Sequence, residues 1–342
     1  MRAIVMSEHG GPEVLKYAAD FPAPEPGAGE VLVKVEASGL NRIDLVVRQG
    51  YPGIGIPLPH IPGGDIAGAV AELGDGAGGI EQGARVLVYP LVACHECPLC
   101  MEGKPNLCVA WKYFGMHLAG GYAGYVAVPS ENLIALPDTV SFEDAVSLPV
   151  AGLTAFHALK TVGELREGQT FFIWGGAGAL GTIAIQVAKQ LGATVIATGG
   201  SEEKLELMKA LGADHVLNRR TEDVPARVKE IAPAGVDLVL EYVGPETFPQ
   251  SFEMLKKGGC MMLCGMITGR ETPLNLQLTY LKHLSIKGLY LGTKEELTEL
   301  LGWMAEGRVK AQIGRRFALE EAAEAQRVLA SGEVAGKIVL QI

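Results

Sequence analysis

The chain has 342 residues, which at roughly 150 per domain predicts two domains, and its 48% hydrophobic and 20% charged residues exclude a disordered protein. Its net charge of −10 argues against nucleic-acid binding, which calls for a basic excess. The first apolar run ends at Ser7-Glu8-His9, too early for a secretory signal, and no apolar stretch reaches about 18 uninterrupted residues; a soluble, cytoplasmic protein without membrane contact is expected.

The first third reads as β-rich. Apolar, β-branched runs at Val31–Val35, Asp65–Leu73, Arg85–Val92 and Gly124–Val128 are parted by Pro and Gly clusters, which predicts short strands in an antiparallel, barrel-like domain with long loops. Ser141-Phe142-Glu143-Asp144 has the form of a capping box, and Ala145–Lys160 reads as the helix it opens. From Thr170 strands and helices alternate: strand Phe171–Trp174, helix Leu180–Leu191, strand Thr194–Ala197, helix Glu202–Leu211, then strands at Val216–Leu217, Val236–Leu240 and Met261–Leu263. Such alternation is the signature of an α/β fold with a doubly wound parallel sheet. A strand Ile286–Leu291, helices Lys294–Glu306 and Leu319–Ala330 and a strand Lys337–Ile342 close the chain and are expected to return to the first domain.

Between the strand Phe171–Trp174 and the following helix stands Gly176-Ala177-Gly178-Ala179-Leu180-Gly181, which fits G-x-G-x-x-G. In this strand–turn–helix context the pattern is a dinucleotide fingerprint: Gly176 for the turn, Gly178 for close approach to the pyrophosphate, Gly181 for helix–strand packing. Ala179 and Leu180 open the helix whose N-terminus faces the phosphates. NAD-binding chains usually place an acid at the end of the second strand to hold the ribose 2′-hydroxyl, but here Gly199 stands there. Ser201, Lys204, Arg219 and Arg220 offer a 2′-phosphate neutral and positive partners, opposed by Glu202 and Glu203, and NADP(H) is favoured over NAD(H).

Cys94, Cys97, Cys100 and Cys108 are separated by two, two and seven residues. Four thiolates so spaced can surround zinc tetrahedrally with no open position, which makes a structural site and not a catalytic one. Cys260 and Cys264 stand apart.

Several of these segments together carry a family resemblance. Gly10-Gly11-Pro12-Glu13-Val14-Leu15, Gly39-Leu40-Asn41-Arg42-Ile43-Asp44, Pro62-Gly63-Gly64-Asp65, the cysteine lobe, Ala151-Gly152-Leu153-Thr154-Ala155, the glycine loop and Gly336-Lys337-Ile338-Val339-Leu340 resemble the medium-chain dehydrogenase/reductase superfamily of zinc alcohol dehydrogenases and quinone oxidoreductases over nearly the whole chain. The resemblance implies a GroES-like β-barrel catalytic domain over residues 1–140 and 287–342, a Rossmann domain over 141–286, and an active site in the cleft. It places Thr154, Val243, Cys264, Leu289 and Leu291 at the cofactor. It also implies a homodimer through the edge strand near Ser285–Leu289, with a homotetramer as the alternative.

The chain departs from the family's zinc alcohol dehydrogenases at the catalytic metal. They carry Cys where Asn41 stands, His within the motif matched by Gly63-Gly64-Asp65, and a third ligand near Val150. Glycine and valine side chains cannot bind zinc, so the catalytic zinc is expected to be absent while the structural one is kept. Without a Lewis acid to stabilise an alkoxide, the site should favour acceptors that delocalise charge, quinones and α,β-unsaturated carbonyls. Asn41 and Tyr51 are the candidate donors to the substrate oxygen; the first reads equally as a turn residue and the second as a packing tyrosine. Two other readings stay open: an alcohol dehydrogenase with an atypical site, and an NADPH-binding protein without catalysis.

Overall fold

Side chains two apart on a strand point the same way. Val31, Val33 and Val35 of the strand Glu30–Gly39 accordingly enter one buried core with Ile66, Val70, Val86, Val88, Val126 and Val128. In this computed structural model, which describes residues 1–51 and 53–342, that core backs a seven-stranded sheet. Its order is Ile313–Ala318, Lys337–Gln341, Glu30–Gly39, Asp65–Leu73, Arg85–Val88 and Leu133–Ala135, with Tyr125–Pro129 also paired to Glu30–Gly39. Only the first pairing is parallel. The C-terminal strand thus lies beside the strand that carries Ser38 and Gly39, as Leu340↔Ser38 and Val339↔Gly39. The single run expected over Arg85–Val92 is two strands, Arg85–Val88 and Leu91–Val92, because Pro90 between them has no amide hydrogen to give a ladder.

The second sheet has six strands, all parallel, in the order His215–Asn218, Thr194–Gly199, Thr170–Ile173, Val236–Glu241, Leu255–Leu263, Ser285–Gly288. Every residue of Val236–Glu241 is buried, as in a strand covered on both faces. The chain winds outward in one direction from Thr170–Ile173 and in the other from Val236–Glu241. The gap between these two strands is the topological switch point of the sheet. The fold is α/β, with a GroES-like barrel and a Rossmann sheet.

Two compact units result, Met1–Leu153 with Thr293–Ile342, and Thr154–Gly292. These boundaries lie later than the expected 140/141 and 286/287, for identifiable reasons. Ser141 does cap a helix, its Oγ accepting from the amide of Asp144 (3.0 Å). The turns that follow stay with the barrel, because the amide of Val150 donates to Asp65 Oδ1 (2.9 Å). At the other boundary, Thr293 caps the returning helix Lys294–Ala305.

The helix expected over Ala145–Lys160 is irregular. Wide i→i+5 turns at Leu148–Gly152 and His157–Val162 flank the α-helical turn Leu153–Phe156. Pro149 lacks the amide that a regular ladder needs, and Gly152 reaches back to Ser147 O (3.2 Å). The whole stretch Phe142–Val162 is long and apolar enough to cross a membrane, yet 72% of its most apolar window is buried inside the protein, as in a core helix.

Candidate active site and metal lobe

Asn41 ends the strand Glu30–Gly39 by way of Leu40 and is the N-cap of the helix Arg42–Gln49. Its backbone amide donates to Asp44 Oδ2 (2.8 Å), the return half of a capping box. Its side chain is committed elsewhere. Oδ1 accepts from Lys337 Nζ (2.8 Å), and Nδ2 donates to Asp65 Oδ2 (2.6 Å). Lys337 also pairs with Asp65 Oδ2. Because Oδ1 faces an ammonium and Nδ2 a carboxylate, the amide can take only one orientation. One of its two N–H bonds remains uncommitted among the described residues. Gly39 makes room for the lysine: a Cβ there would meet Lys337 Cε at 2.5 Å and Asp65 Oδ2 at 2.8 Å.

Beside this pair, the Gly64 position is closed by an aromatic ring. A Cβ at Gly64 would fall on the buried Tyr113 hydroxyl. Gly64 and Val150 contribute no side-chain donor, and the Val150 contribution is its amide to Asp65.

Asp44 and Asp65 are both fully buried, and the Lys337 ammonium pairs with Asp65. Two buried anions against one cation would leave a charge uncompensated. Asp44 can relieve this by taking up a proton as pH falls through about 7. Burial pushes its carboxyl up to about 7, against the pull of the hydrogen bond from the Asn41 amide; the charge of Asp65 pushes it further, while Lys337 and the Tyr122 hydroxyl (3.0 Å) pull it back. Its Oδ1 has no hydrogen-bond partner among the described residues. Burial raises Asp65 as well, against its bonds from Lys337, Asn41 and Val150.

This has a sign. A folded-state carboxyl raised above its unfolded value of 3.8 stabilises the fold fully below that value, and the contribution is lost as pH rises through about 7. Over that window the loss is up to about 4 kcal/mol, at about 1.4 kcal/mol per unit. Asp44→Asn, which mimics the protonated acid, is expected to flatten this decline in urea-unfolding free energies measured from pH 4 to 8. A variant curve that parallels the wild type would show that Asp44 does not hold the proton.

Tyr51 lies half-buried beyond the end of the helix Arg42–Gln49, its carbonyl accepting from the amide of Ile54 (3.0 Å). His60 is buried, which holds its imidazole below the usual range, and its Nε2 has no partner among the described residues; it is a neutral scaffold residue.

In the second unit, Gly178 is the N-cap of the helix Ala179–Gln190 and supplies no side-chain cap to its first-turn amides. A Cβ at Gly178 would meet only Gly175 O, at 3.5 Å, so this face is open to a phosphate. A Cβ at Gly181 would press on Gly176 Cα at 2.6 Å, the close packing the fingerprint requires. These observations fit a dinucleotide pyrophosphate.

At the end of Thr194–Gly199, the register Gly199↔Asn218 places the next strand's outgoing residues alongside. A Cβ on Gly200 would lie 3.2 Å from Arg220 Nε and 3.6 Å from Arg219 Nη2. Both guanidiniums therefore stand over the backbone at Gly200, just past the end of the second strand. Ser201 is the N-cap of Glu202–Ala210 without a side-chain cap bond, and Lys204 is half-buried on that helix.

Thr154 Oγ1 donates to Tyr290 O (3.3 Å), which ties it to Leu289 and the buried Leu291. Val243 donates its amide to Glu241 Oε1 (2.8 Å). Cys264 gives its amide to Glu241 O (3.0 Å), and burial, with the nearby Glu241 charge, pushes its thiol up to about 12. It is a neutral thiol and not a nucleophile.

The sulfur atoms of Cys94, Cys97, Cys100 and Cys108 lie within 4.8 Å of one another, with Cys97 to Cys100 at 3.5 Å and Cys94 to Cys108 at 3.4 Å. Backbone amides at Val109 and Cys100 hold the Cys97 thiol below its usual range, while burial and the neighbouring sulfurs push Cys100 up, as in a cluster of thiols sharing protons. The lobe fits a structural zinc, closed by four sulfurs.

A family model described as zinc-binding dehydrogenase matches residues 179–306, and one described as alcohol dehydrogenase GroES-like domain matches residues 27–138. An alcohol dehydrogenase of Geobacillus stearothermophilus is 32% identical, with the whole of both chains covered. A quinone oxidoreductase of Rattus norvegicus is 31% identical, covering 99% of this chain and 97% of its own. The crystal structure of an NAD-dependent alcohol dehydrogenase superposes with a TM-score of 0.96 at 38% identity, over the whole of both chains.

Proposed function

The chain belongs to the medium-chain dehydrogenase/reductase superfamily and is an oxidoreductase of that family, and on this premise we propose that it reduces a quinone or an α,β-unsaturated carbonyl with NADPH and without a catalytic zinc. The observation that carries this reading is the Asn41–Asp65–Lys337 cluster. Where the family's metal enzymes gather ligands, this chain has an amide engaged at both ends, a glycine and a valine. An ammonium already neutralises Asp65 and would repel a second cation. Tyr113 fills the space that a ligand side chain at position 64 would need. This donor set does not fit a catalytic zinc.

NADPH, when bound, supplies the hydride. The chain's own residues do the rest. The glycine loop and the first turn of Ala179–Gln190 receive the pyrophosphate. Arg219 and Arg220, with Ser201 and Lys204, receive the 2′-phosphate beside Gly199. Thr154, Val243, Cys264, Leu289 and Leu291 line the nicotinamide half. Asn41 turns its uncommitted amide hydrogen to the substrate oxygen as charge builds there, and Tyr51 is the second donor. A quinone or enone spreads that charge over its conjugated system and so can be reduced without a metal. A simple alcohol, which needs its alkoxide stabilised, cannot use such a site well.

The same reading makes the protein a homodimer. The strand Ser285–Gly288 is exposed along its length and paired on one side only. Exposed apolar residues lie on it or close to it in the chain, among them Leu276, Tyr280, Leu281, Ile286 and Tyr290. Edge-to-edge pairing across a twofold axis would cover both.

The test is NADPH oxidation by purified protein, with a naphthoquinone and an enone offered separately. Product mass, metal content and particle mass are read on the same preparation. Turnover of one acceptor, weaker use of NADH, one zinc per chain and a two-chain particle are expected. Two zincs per chain with NAD-dependent alcohol oxidation would make it an alcohol dehydrogenase instead. Tight NADPH binding with no turnover of either acceptor would remove the quinone and enone assignment.

A further inference from the structure

Thr170–Ile173 and Val236–Glu241 are parallel neighbours, with Ile173 opposite Leu240. The next residues of each, Trp174-Gly175 and Glu241-Tyr242, therefore leave the sheet side by side at its switch point, and there they are bonded together. The Tyr242 hydroxyl donates toward Trp174 O (2.8 Å) and Gly175 O (3.0 Å). Buried Glu241 accepts from the amides of Val243 (2.8 Å) and Gly244 (3.0 Å) and from the hydroxyls of Thr247 (2.9 Å) and Ser251 (2.5 Å). Ser251 Oγ in turn accepts from the Trp174 indole (2.7 Å). The residue that enters the glycine loop is thus gripped by its carbonyl and by its ring.

On the opposite side Thr198 holds the same turn, its Oγ1 accepting from Gly175 N (3.1 Å) and its carbonyl from Gly176 N (2.9 Å). Gly175 has φ +58°, a left-handed conformation that glycine adopts but does not prefer over its alternatives. A Cβ there would also lie 2.7 Å from the Tyr242 hydroxyl. Carbonyl oxygens left facing a phosphate would repel it. Tyr242 occupies two of them, and the Gly178 amide closes the turn on Gly175 O (3.0 Å).

We propose that Tyr242 and Glu241 are positioning residues for the cofactor: they clamp the first turn of the glycine loop so that its amides are already set for the pyrophosphate. A loop ordered beforehand spares the cofactor that ordering cost on binding. The proposal rests on the reading that a nicotinamide dinucleotide binds at this loop, and it holds for either dinucleotide because both carry the pyrophosphate.

Tyr242→Phe removes one hydroxyl and keeps the ring. Fluorescence titration of the ligand-free protein should show NADPH, and NADH where it binds, weakened about three- to tenfold, the worth of one neutral hydrogen bond. Adenosine 2′-monophosphate, which lacks the pyrophosphate, should bind Tyr242→Phe and wild type equally, and the unfolding midpoint should stay within about 2 °C. Ser251→Ala, which cuts the indole link, should weaken the dinucleotide in the same range. Unchanged dinucleotide binding in Tyr242→Phe overturns the clamp. So does equal weakening of dinucleotide and adenosine 2′-monophosphate, which would mean general loosening of the unit. A wild type that prefers NADH overturns the 2′-phosphate reading alone, and the clamp is then decided on the NADH arm.

Discussion

Lys337→Met is expected to lower stability by about 3–5 kcal/mol, because it leaves a buried carboxylate without its cation. Lys337 is 1% exposed and Asp65 fully buried, so water cannot take the ammonium's place. In a unit of this size that loss corresponds to roughly 10 °C in the thermal midpoint. The penalty should be smaller at pH 5 than at pH 8. Without Lys337, Asp65 titrates still higher than burial already sets it, and protonation at low pH relieves the unpaired charge. Lys337→Met combined with Asp65→Asn should recover much of the loss, since the two amides at 41 and 65 can then pair with each other and no charge is buried. A midpoint shift in Lys337→Met of under 2 °C, or a penalty independent of pH, would show that the pair is not what neutralises Asp65. Turnover should fall in the single variant as well, because the ammonium on Oδ1 is what orients the Asn41 amide.

The cysteine spacing and the glycine loop were legible in the sequence because each carries its chemistry within about fifteen residues. The candidate donor was only half legible. Asn41 does cap a helix, as its alternative reading has it, but through its backbone, which leaves the side chain to the buried cluster. Lys337 is visible in the sequence only as one residue of a C-terminal motif. Its partners lie 296 and 272 positions away, and nothing local signals them. Tyr113 beside Gly64 is likewise a contact made by folding. The one local sign is a lysine at the head of the apolar closing strand Lys337–Gln341, since such a charge is seldom buried without a partner. The wide turns after Ser147 had a local cause in Pro149, but a proline predicts a break in the ladder and not which carboxylate takes up the released amide. Arg219 and Arg220 were visible as a basic pair; that they stand over Gly200 follows from the parallel register of two strands.

That register carries the second large effect. Arg219→Ala with Arg220→Ala is expected to weaken NADPH by about 30- to 150-fold and to leave NADH nearly unchanged. Each guanidinium that meets a 2′-phosphate adds a charge-assisted bond of about 1.5–3 kcal/mol, and solvent exposure at these positions discounts each to roughly 1–1.5. Two such losses give about 2–3 kcal/mol, at 1.4 kcal/mol per tenfold. The same exposure predicts that NADPH affinity falls as salt is raised from 0.05 to about 0.5 M, where screening shortens to a few ångström, while NADH affinity moves little. Introducing the acid of NAD-binding chains is the poorer test. A side chain at Gly199 would crowd Met208 Cε at 2.9 Å and Leu205 and Lys204 at 3.2 Å, so a loss there would mix strain with charge. Removing the arginines disturbs neither strand. If the double variant keeps the wild-type ratio of NADPH to NADH affinity, the guanidiniums over Gly200 are surface charges, and the argument for the phosphate would fall back on Ser201, Lys204 and the acid missing at 199.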